Sequence, residues 1–289
     1  MFTNTTRTIC ENRPSSSERS ATVDVCAVTG VSGENRPDFL AVEEPLEIRI
    51  THGRDRITRS LSITMRTPGH DAELAAGFLF AEGIVPGGES ILGIDTEHES
   101  NVVHVELRPE VVLNLDRTKR NFTMSSSCGV CGKTTLDSLA IQCQFLPTDD
   151  FPIIPAAWIH ELPRRLRESQ ATFDRTGGLH AAGLFDTTGE LLALREDVGR
   201  HNAVDKLIGA ELLANRIPLS NRILVVSGRA SFELMQKAMM AGIPILAAVG
   251  APSSLAVDLA RQFGLTLLGF VRDGRFNIYT GAGRIGLGS

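Results

Sequence analysis

The run Ile223-Leu224-Val225-Val226 constrains the fold more than any other stretch of this chain, because it is apolar at every position. A strand of that kind is buried on both faces, so helices must cover its sheet above and below. The flanking pattern agrees. His201 to Leu213 has helical spacing, and Ser231 to Ala241 follows the strand as another helix. Pro244 to Val249 repeats the short strand and Pro252 to Phe263 the helix. Leu265 to Val271 is a further strand that hands over to Phe276 to Thr280. Upstream, Ala181 to Phe185 pairs with Leu191 to Arg195 through the turn Asp186-Thr187-Thr188-Gly189. Before that hairpin, Trp158 to Arg167 reads as a helix with Ile159, Leu162 and Leu166 on one side. Pro163 within it predicts a kink or a boundary. This order makes residues 136–289 a three-layer α/β domain with a mostly parallel sheet.

Residues 38–118 follow another rule. Leu46 to Thr51 alternates apolar and polar, the period of a half-buried strand. Arg59 to Thr67 alternates again, with Leu61, Ile63 and Met65 on one face. The turn Thr67-Pro68-Gly69-His70-Asp71 leads into a helix over Glu73 to Ala81, which buries Leu74, Gly77 and Phe78. Val102 to Leu107 is one more alternating strand. The expectation is a small α+β domain. Ahead of it, half of the first 20 residues are Ser, Thr or Asn. Such a segment buries too little to offset its ordering entropy, so residues 1–37 are predicted to form a mobile polar tail. The tail has no apolar stretch of the roughly 7–15 residues that a secretory signal needs. No apolar run reaches the roughly 18 residues of a membrane span. A net charge of −5 argues against a duplex nucleic acid as partner. A soluble, cytoplasmic protein is expected.

In that setting five cysteines, an odd number, do not make a disulfide scaffold and read as buried or reactive thiols. Cys10, Cys26 and Cys143 read as bystanders. Residues 119–135 hold the other two, in Ser127-Cys128-Gly129-Val130-Cys131-Gly132-Lys133. The loop leads into a helix-like stretch, Thr134 to Ala140. Unpaired N–H groups at a helix start, with the Lys133 charge, stabilise a thiolate there. A structural zinc site would need four ligands, and no second CxxC exists. A thioredoxin-like dithiol oxidoreductase would need a strand running directly into the motif, where Asn114 to Phe122 is instead charged and turn-like. A carrier thiol needs a loop that meets first a donor and then an acceptor, which suits a Gly/Ser-rich segment.

The element order of residues 136–289 matches a cytidine-deaminase-like architecture. Deaminase zinc chemistry uses H-x-E and P-C-x-x-C at two helix starts. Here those starts read Gly199-Arg200-His201-Asn202 and Ser227-Gly228-Arg229-Ala230, without the required Glu or Cys. No metal site is expected. Gly, Arg, Ser and Asn at helix starts suit phosphate or base recognition. The 25 Arg against 4 Lys could favour bidentate phosphate contacts, although coding bias explains the ratio equally well. Gly281-Ala282-Gly283-Arg284-Ile285-Gly286 fits G-x-G-x-x-G, but no helix follows it. His180 is either a core histidine or a pocket residue. Glu196, Asp197, Asp205 and Lys206 read as helix-end charges rather than catalytic groups.

Several segments together resemble one family. They are the CxxC loop, Thr176-Gly177-Gly178-Leu179-His180-Ala181-Ala182, Glu196 to Lys206, Ser227-Gly228-Arg229, and Gly269 to Tyr279. From about residue 40 onward the chain is similar to the FdhD/NarQ family of formate dehydrogenase accessory proteins. The resemblance implies a sulfurtransferase that takes sulfur from a cysteine desulfurase as a cysteine persulfide. The sulfur goes to the molybdenum bis(molybdopterin guanine dinucleotide) cofactor, a bound substrate, and so activates formate dehydrogenase. The persulfide position matches Cys128, with Cys131 the second family thiol. The guanine-dinucleotide region matches Phe270, Val271, Arg272, Asp273, Gly274 and Arg275. Arg200, His201, Ser227 and Arg229 join the pocket by position at the sheet's carboxyl edge. For the thiol to reach that pocket, either the Cys128 loop moves or a partner subunit brings it close, as in a homodimer. The alternative is a non-catalytic chaperone that carries the cofactor and whose cysteines are incidental.

Overall fold

The computed structural model describes residues 19–111, 145–147, 151–272 and 274–287. The chain opens with a hairpin, β1 (Ser20–Thr29) and β2 (Ser32–Ala41), paired along its whole length. This corrects the expectation of a mobile tail through residue 37. Ala21-Thr22-Val23-Asp24-Val25-Cys26-Ala27-Val28 is a β-branched alternation, which the polar average of the first 37 residues conceals. The strands β3 (Glu44–His52) and β4 (Ile57–Arg66) follow, then α1 (Asp71–Ala81), β5 (Ile91–Asp95) and β6 (Val102–Leu107). They form a four-stranded sheet in the order β4-β3-β6-β5, with β3 and β6 parallel. Of the face predicted on β4, Ile63 is 69% and Met65 47% exposed, and only Leu61 packs against the core.

The second half contains β7 (Ile154–Pro155), α2 (Ala156–Glu168), α3 (Ala171–Thr176), β8 (His180–Phe185) and β9 (Leu191–Asp197). Next come α4 (Arg200–Leu213), β10 (Ile223–Val226), α5 (Phe232–Met240), β11 (Ile245–Ala248) and α6 (Ser254–Gln262). The described chain closes with β12 (Thr266–Arg272), β13 (Arg275–Thr280) and β14 (Ile285–Gly286). Six strands form one sheet in the order β13-β12-β11-β10-β8-β9. Its centre, β10, β11 and β12, is parallel; β8, β9 and β13 run antiparallel to their neighbours. Helix α2 continues through Pro163 to Glu168. Burial of Ile159, Leu162 and Leu166 outweighs the backbone hydrogen bond that a proline removes. The G-x-G-x-x-G segment opens no helix of the Rossmann kind: a short 3-10 turn, Ala282–Arg284, leads straight into β14, which pairs with β7.

The all-apolar strands behave as expected of strands buried on both faces. Leu224 and Val226 of β10 face a core shared with α4, α5 and α6, while Ile223 and Val225 face α2. The first of these cores also holds Leu46, Ile48 and Ile50 of β3, Val103, Val105 and Leu107 of β6, and Leu74 and Leu79 of α1. One continuous apolar core therefore joins the four-stranded sheet to the six-stranded one, giving a mixed α/β molecule. The joint is the crossing of α1 and α4, and it depends on two glycines. A Cβ on Gly77 would overlap the Asp205 carbonyl oxygen, and one on Gly209 would overlap that of Glu73. Only hydrogen at both positions lets the two backbones approach this closely. Among the described residues, no helix is long and apolar enough to cross a membrane.

Candidate functional site at the carboxyl edge of the parallel strands

Parallel strands end on the same side, and the loops beyond their carboxyl ends form the usual crevice of an open α/β sheet. Here that edge gathers the loop Ser227 to Ser231 after β10, Val249 to Ser253 after β11, and the end of β12 at Phe270 to Arg272. Strand β8 runs the other way, so its first residue, His180, comes to the same edge, as does the last residue of β9, Asp197. Helix α4 starts there with Arg200 and His201. The loops are stitched by backbone bonds: Gly250 N donates to Gly228 O (2.9 Å), and Phe270 N donates to Gly250 O (3.1 Å). Phe270 holds a positive φ of 55° at an irregularity between Gly269 and Arg272. Such a backbone costs about 1–2 kcal/mol for a non-glycine residue and persists where its surroundings impose it.

The charges at this edge are unequal in their partners. Arg200 has a buried Nε with no hydrogen-bond partner among the described residues. Its positive charge reaches both neighbouring imidazoles. Burial first, and then Arg200, lower the pKa of His180. Burial, Arg200 and Lys237 push His201 down to about 4, against a weaker upward pull from Glu233. Both rings are therefore neutral near pH 7. His201 Nε2 hydrogen-bonds Ser231 Oγ at 3.2 Å. A fixed cation beside two neutral imidazoles, with backbone N–H groups at a helix start, is suited to an anionic oxygen or a phosphate.

The structure brings together most of the pocket residues expected from the sequence, though not in one role. Arg200 and His201 line the edge. Ser227 is partly spent on the fold, because its Oγ accepts from Ala181 N (2.9 Å) and its own N donates to Ala181 O (3.0 Å). The backbone of Arg229 packs against Gly250, where an added Cβ would sit 3.0 Å from Arg229 Cγ. Phe270, Val271 and Arg272 end β12, Gly274 occupies the turn with φ of 75°, and Arg275 begins β13 with its side chain exposed. Val271 is fully buried in the core under α2 and so does not line the edge by its side chain. Asp273, Cys128 and Cys131 lie outside the described residues. Glu196 is a helix-end charge as expected: its carboxylate accepts from Thr172 N (3.1 Å) and Phe173 N (2.9 Å) at the start of α3. Asp197, Lys206 and Thr67 went unrecognised as a group, since no local pattern links residues 130 positions apart. A shallow depression between β5 and the far end of α4, lined by Ile91, Leu92, Leu212 and Leu213, is a separate feature. The length of α4 up to Leu212, about 18 Å, separates it from Arg200.

Comparison with known proteins places these features in a family. The family model described as FdhD/NarQ matches residues 41–286. A protein of Streptomyces avermitilis named sulfur carrier protein FdhD is 52% identical over 261 residues, covering 87% of this chain and 90% of that one. A protein of the same name from Sulfurisphaera tokodaii is 46% identical, covering 86% and 92%. Among solved structures, a formate dehydrogenase accessory protein from Desulfotalea psychrophila superposes with a TM-score of 0.72 at 28% identity, covering 93% of this chain and all of the other. The family match spans both sheets, the α1–α4 crossing and the whole carboxyl edge, and on that extent this chain belongs to the FdhD/NarQ family.

Proposed function

We propose that this protein is a sulfurtransferase that carries sulfur on Cys128 to a molybdenum bis(molybdopterin guanine dinucleotide) cofactor destined for formate dehydrogenase. The observation that carries this reading is the buried Arg200 Nε, without a hydrogen-bond partner among the described residues and with its charge acting on two neutral imidazoles, in a chain half-identical to proteins named sulfur carriers. The cofactor is the substrate of this reaction. Its guanine-nucleotide portion is recognised at the carboxyl edge, where Arg200 meets phosphate oxygens and the Phe270 to Arg275 turn meets the base. The cytidine-deaminase-like layering that we propose for residues 136–289 supplies this crevice. His201 and Ser227 stand where a deaminase would need its metal ligands, so the same edge serves recognition rather than hydrolysis.

The sulfur arrives by exchange. A cysteine desulfurase presents a persulfide, and the Cys128 thiolate attacks its outer sulfur. The donor's S–S bond breaks, its cysteine leaves as a thiolate, and a new S–S bond forms on Cys128. Cys131, three positions on, is placed by spacing to tune or to resolve that persulfide. The experiment that tests the reading is complementation at native expression. Cys128→Ala should abolish formate dehydrogenase activity, and Arg275→Ala should weaken the binding of guanosine diphosphate. Full activity with Cys128→Ala would favour the non-catalytic cofactor chaperone instead.

A further inference from the structure

We propose that Asp197, Lys206 and Thr67 form a buried latch that positions the first turn of α4, and with it Arg200 and His201, at the carboxyl edge. All three residues are fully buried. Lys206 Nζ meets Asp197 Oδ2 at 2.7 Å and also donates to Thr67 O at 2.7 Å. Thr67 N donates to Asp197 Oδ2 (3.2 Å), and Thr67 Oγ1 accepts from Val198 N (3.1 Å). The other carboxylate oxygen, Asp197 Oδ1, accepts from Gly199 N (2.8 Å) and from Asn202 Nδ2 (3.2 Å). Asn202 Nδ2 also donates to Met65 O (2.7 Å), and Asn202 Oδ1 accepts from Thr64 Oγ1 (3.3 Å).

These contacts converge on one short segment. Val198 N is tied to Thr67 just past β4, Gly199 N to the Asp197 carboxylate, and Asn202 to both that carboxylate and β4, and Arg200 and His201 stand between these anchors. The rest of α4 is held by its apolar face against the shared core. A buried ion pair is costly to desolvate and adds little stability that well-packed apolar side chains would not; its directional bonds define a single arrangement. The latch therefore fixes the start of α4 and, through it, where Arg200 leaves the backbone. Asp197, Lys206 and Thr67 are positioning residues that act through Arg200. Their role in ligand binding rests on the proposed pocket.

The test uses the full chain and guanosine diphosphate as probe, with binding measured by calorimetry well below the melting temperature of each variant. Asp197→Asn and Lys206→Met are expected to weaken binding about tenfold. Leu207→Ala, which opens a cavity on the same helix while leaving the latch intact, should change it by less than about twofold. If Asp197 acts through Arg200, Asp197→Asn added to Arg200→Ala causes no further loss. Additive losses, or an effect of Leu207→Ala equal to that of Asp197→Asn, would overturn the proposal. Amide hydrogen exchange supplies an arm that needs no ligand. Asp197→Asn should speed exchange from Val198 to Ala203 selectively, and Leu207→Ala should not. If the native protein fails to bind the nucleotide, the pocket reading is wrong and the exchange arm decides the latch, with uniform exchange in Asp197→Asn sinking it.

Discussion

His201 gives the carboxyl edge a measurable pH dependence. Its side chain is 38% exposed, yet burial and the nearby Arg200 and Lys237 charges push its pKa down to about 4. An unfolded chain binds that proton near pH 6.5, so between 6.5 and 4 the unfolded state holds more protons than the folded one. Folded-state stability must therefore fall as the pH drops through that window and be fully present above it. Denaturant midpoints measured across the window should fall less steeply for His201→Gln than for the native chain. An unchanged slope would mean that the imidazole is not held neutral by its surroundings. The residues at this edge were partly legible in sequence. Arg200 and His201 stand at a helix start that periodicity locates to within one residue, whereas Ser227 and Arg229, expected at the next helix start, lie in the loop ahead of α5, which begins at Phe232. That Ser227 Oγ is bound to Ala181 N, or that Asp197 reaches Thr67, follows only from the folding of distant segments onto one another.

Elements with strong periodicity were the easiest to read. Ile223–Val226 is the predicted strand residue for residue, and α4 begins one residue earlier than its pattern suggests. The misses have physical causes. Gly93 interrupts the apolar run of β5, and α3 is a single short helix whose N–H groups are capped from Glu196, far along the chain. Hairpin β1–β2 hides inside a polar tail, and its strands place no residue in either buried core. The α1–α4 crossing was the least visible feature, because Gly209 reads only as a weak helix former. In the structure Gly209 and Gly77 set how closely α1 and α4 approach. Gly209→Ala should separate the helices and cost about 3 kcal/mol, seen as a lower midpoint in urea. A variant within about 0.5 kcal/mol of native would show that the crossing tolerates a methyl group.

At the scale of the whole molecule, the sequence suggests two folded blocks, and the structure binds them by one core and by Arg195 Nη2 to Glu73 Oε1 at 2.8 Å. Burial opposes the charge on Glu73, but Arg195 and His70 outweigh it and hold that carboxyl down to about 2. A shared core predicts a single cooperative transition. Trp158, the one tryptophan, sits on α2 at the opposite side of the six-stranded sheet from β3 and β6. Its fluorescence and the far-ultraviolet circular dichroism of the whole chain should therefore share one midpoint, whereas separated transitions would indicate independent domains. The proposed sulfur transfer also belongs to this scale, since the proposal calls on a thiol loop, a nucleotide crevice and two visiting partners. Cys128 and Cys131 are expectations from spacing and resemblance that lie outside the described residues, while the carboxyl edge became visible only when strands from both ends of residues 180–272 met there. The most direct test of the account is the intact mass of the full chain after incubation with a cysteine desulfurase and cysteine. The account predicts an adduct of about 32 Da, one sulfur, that reducing agent removes and that Cys128→Ala abolishes. No adduct on the native chain, or an equal adduct on Cys128→Ala, would contradict it.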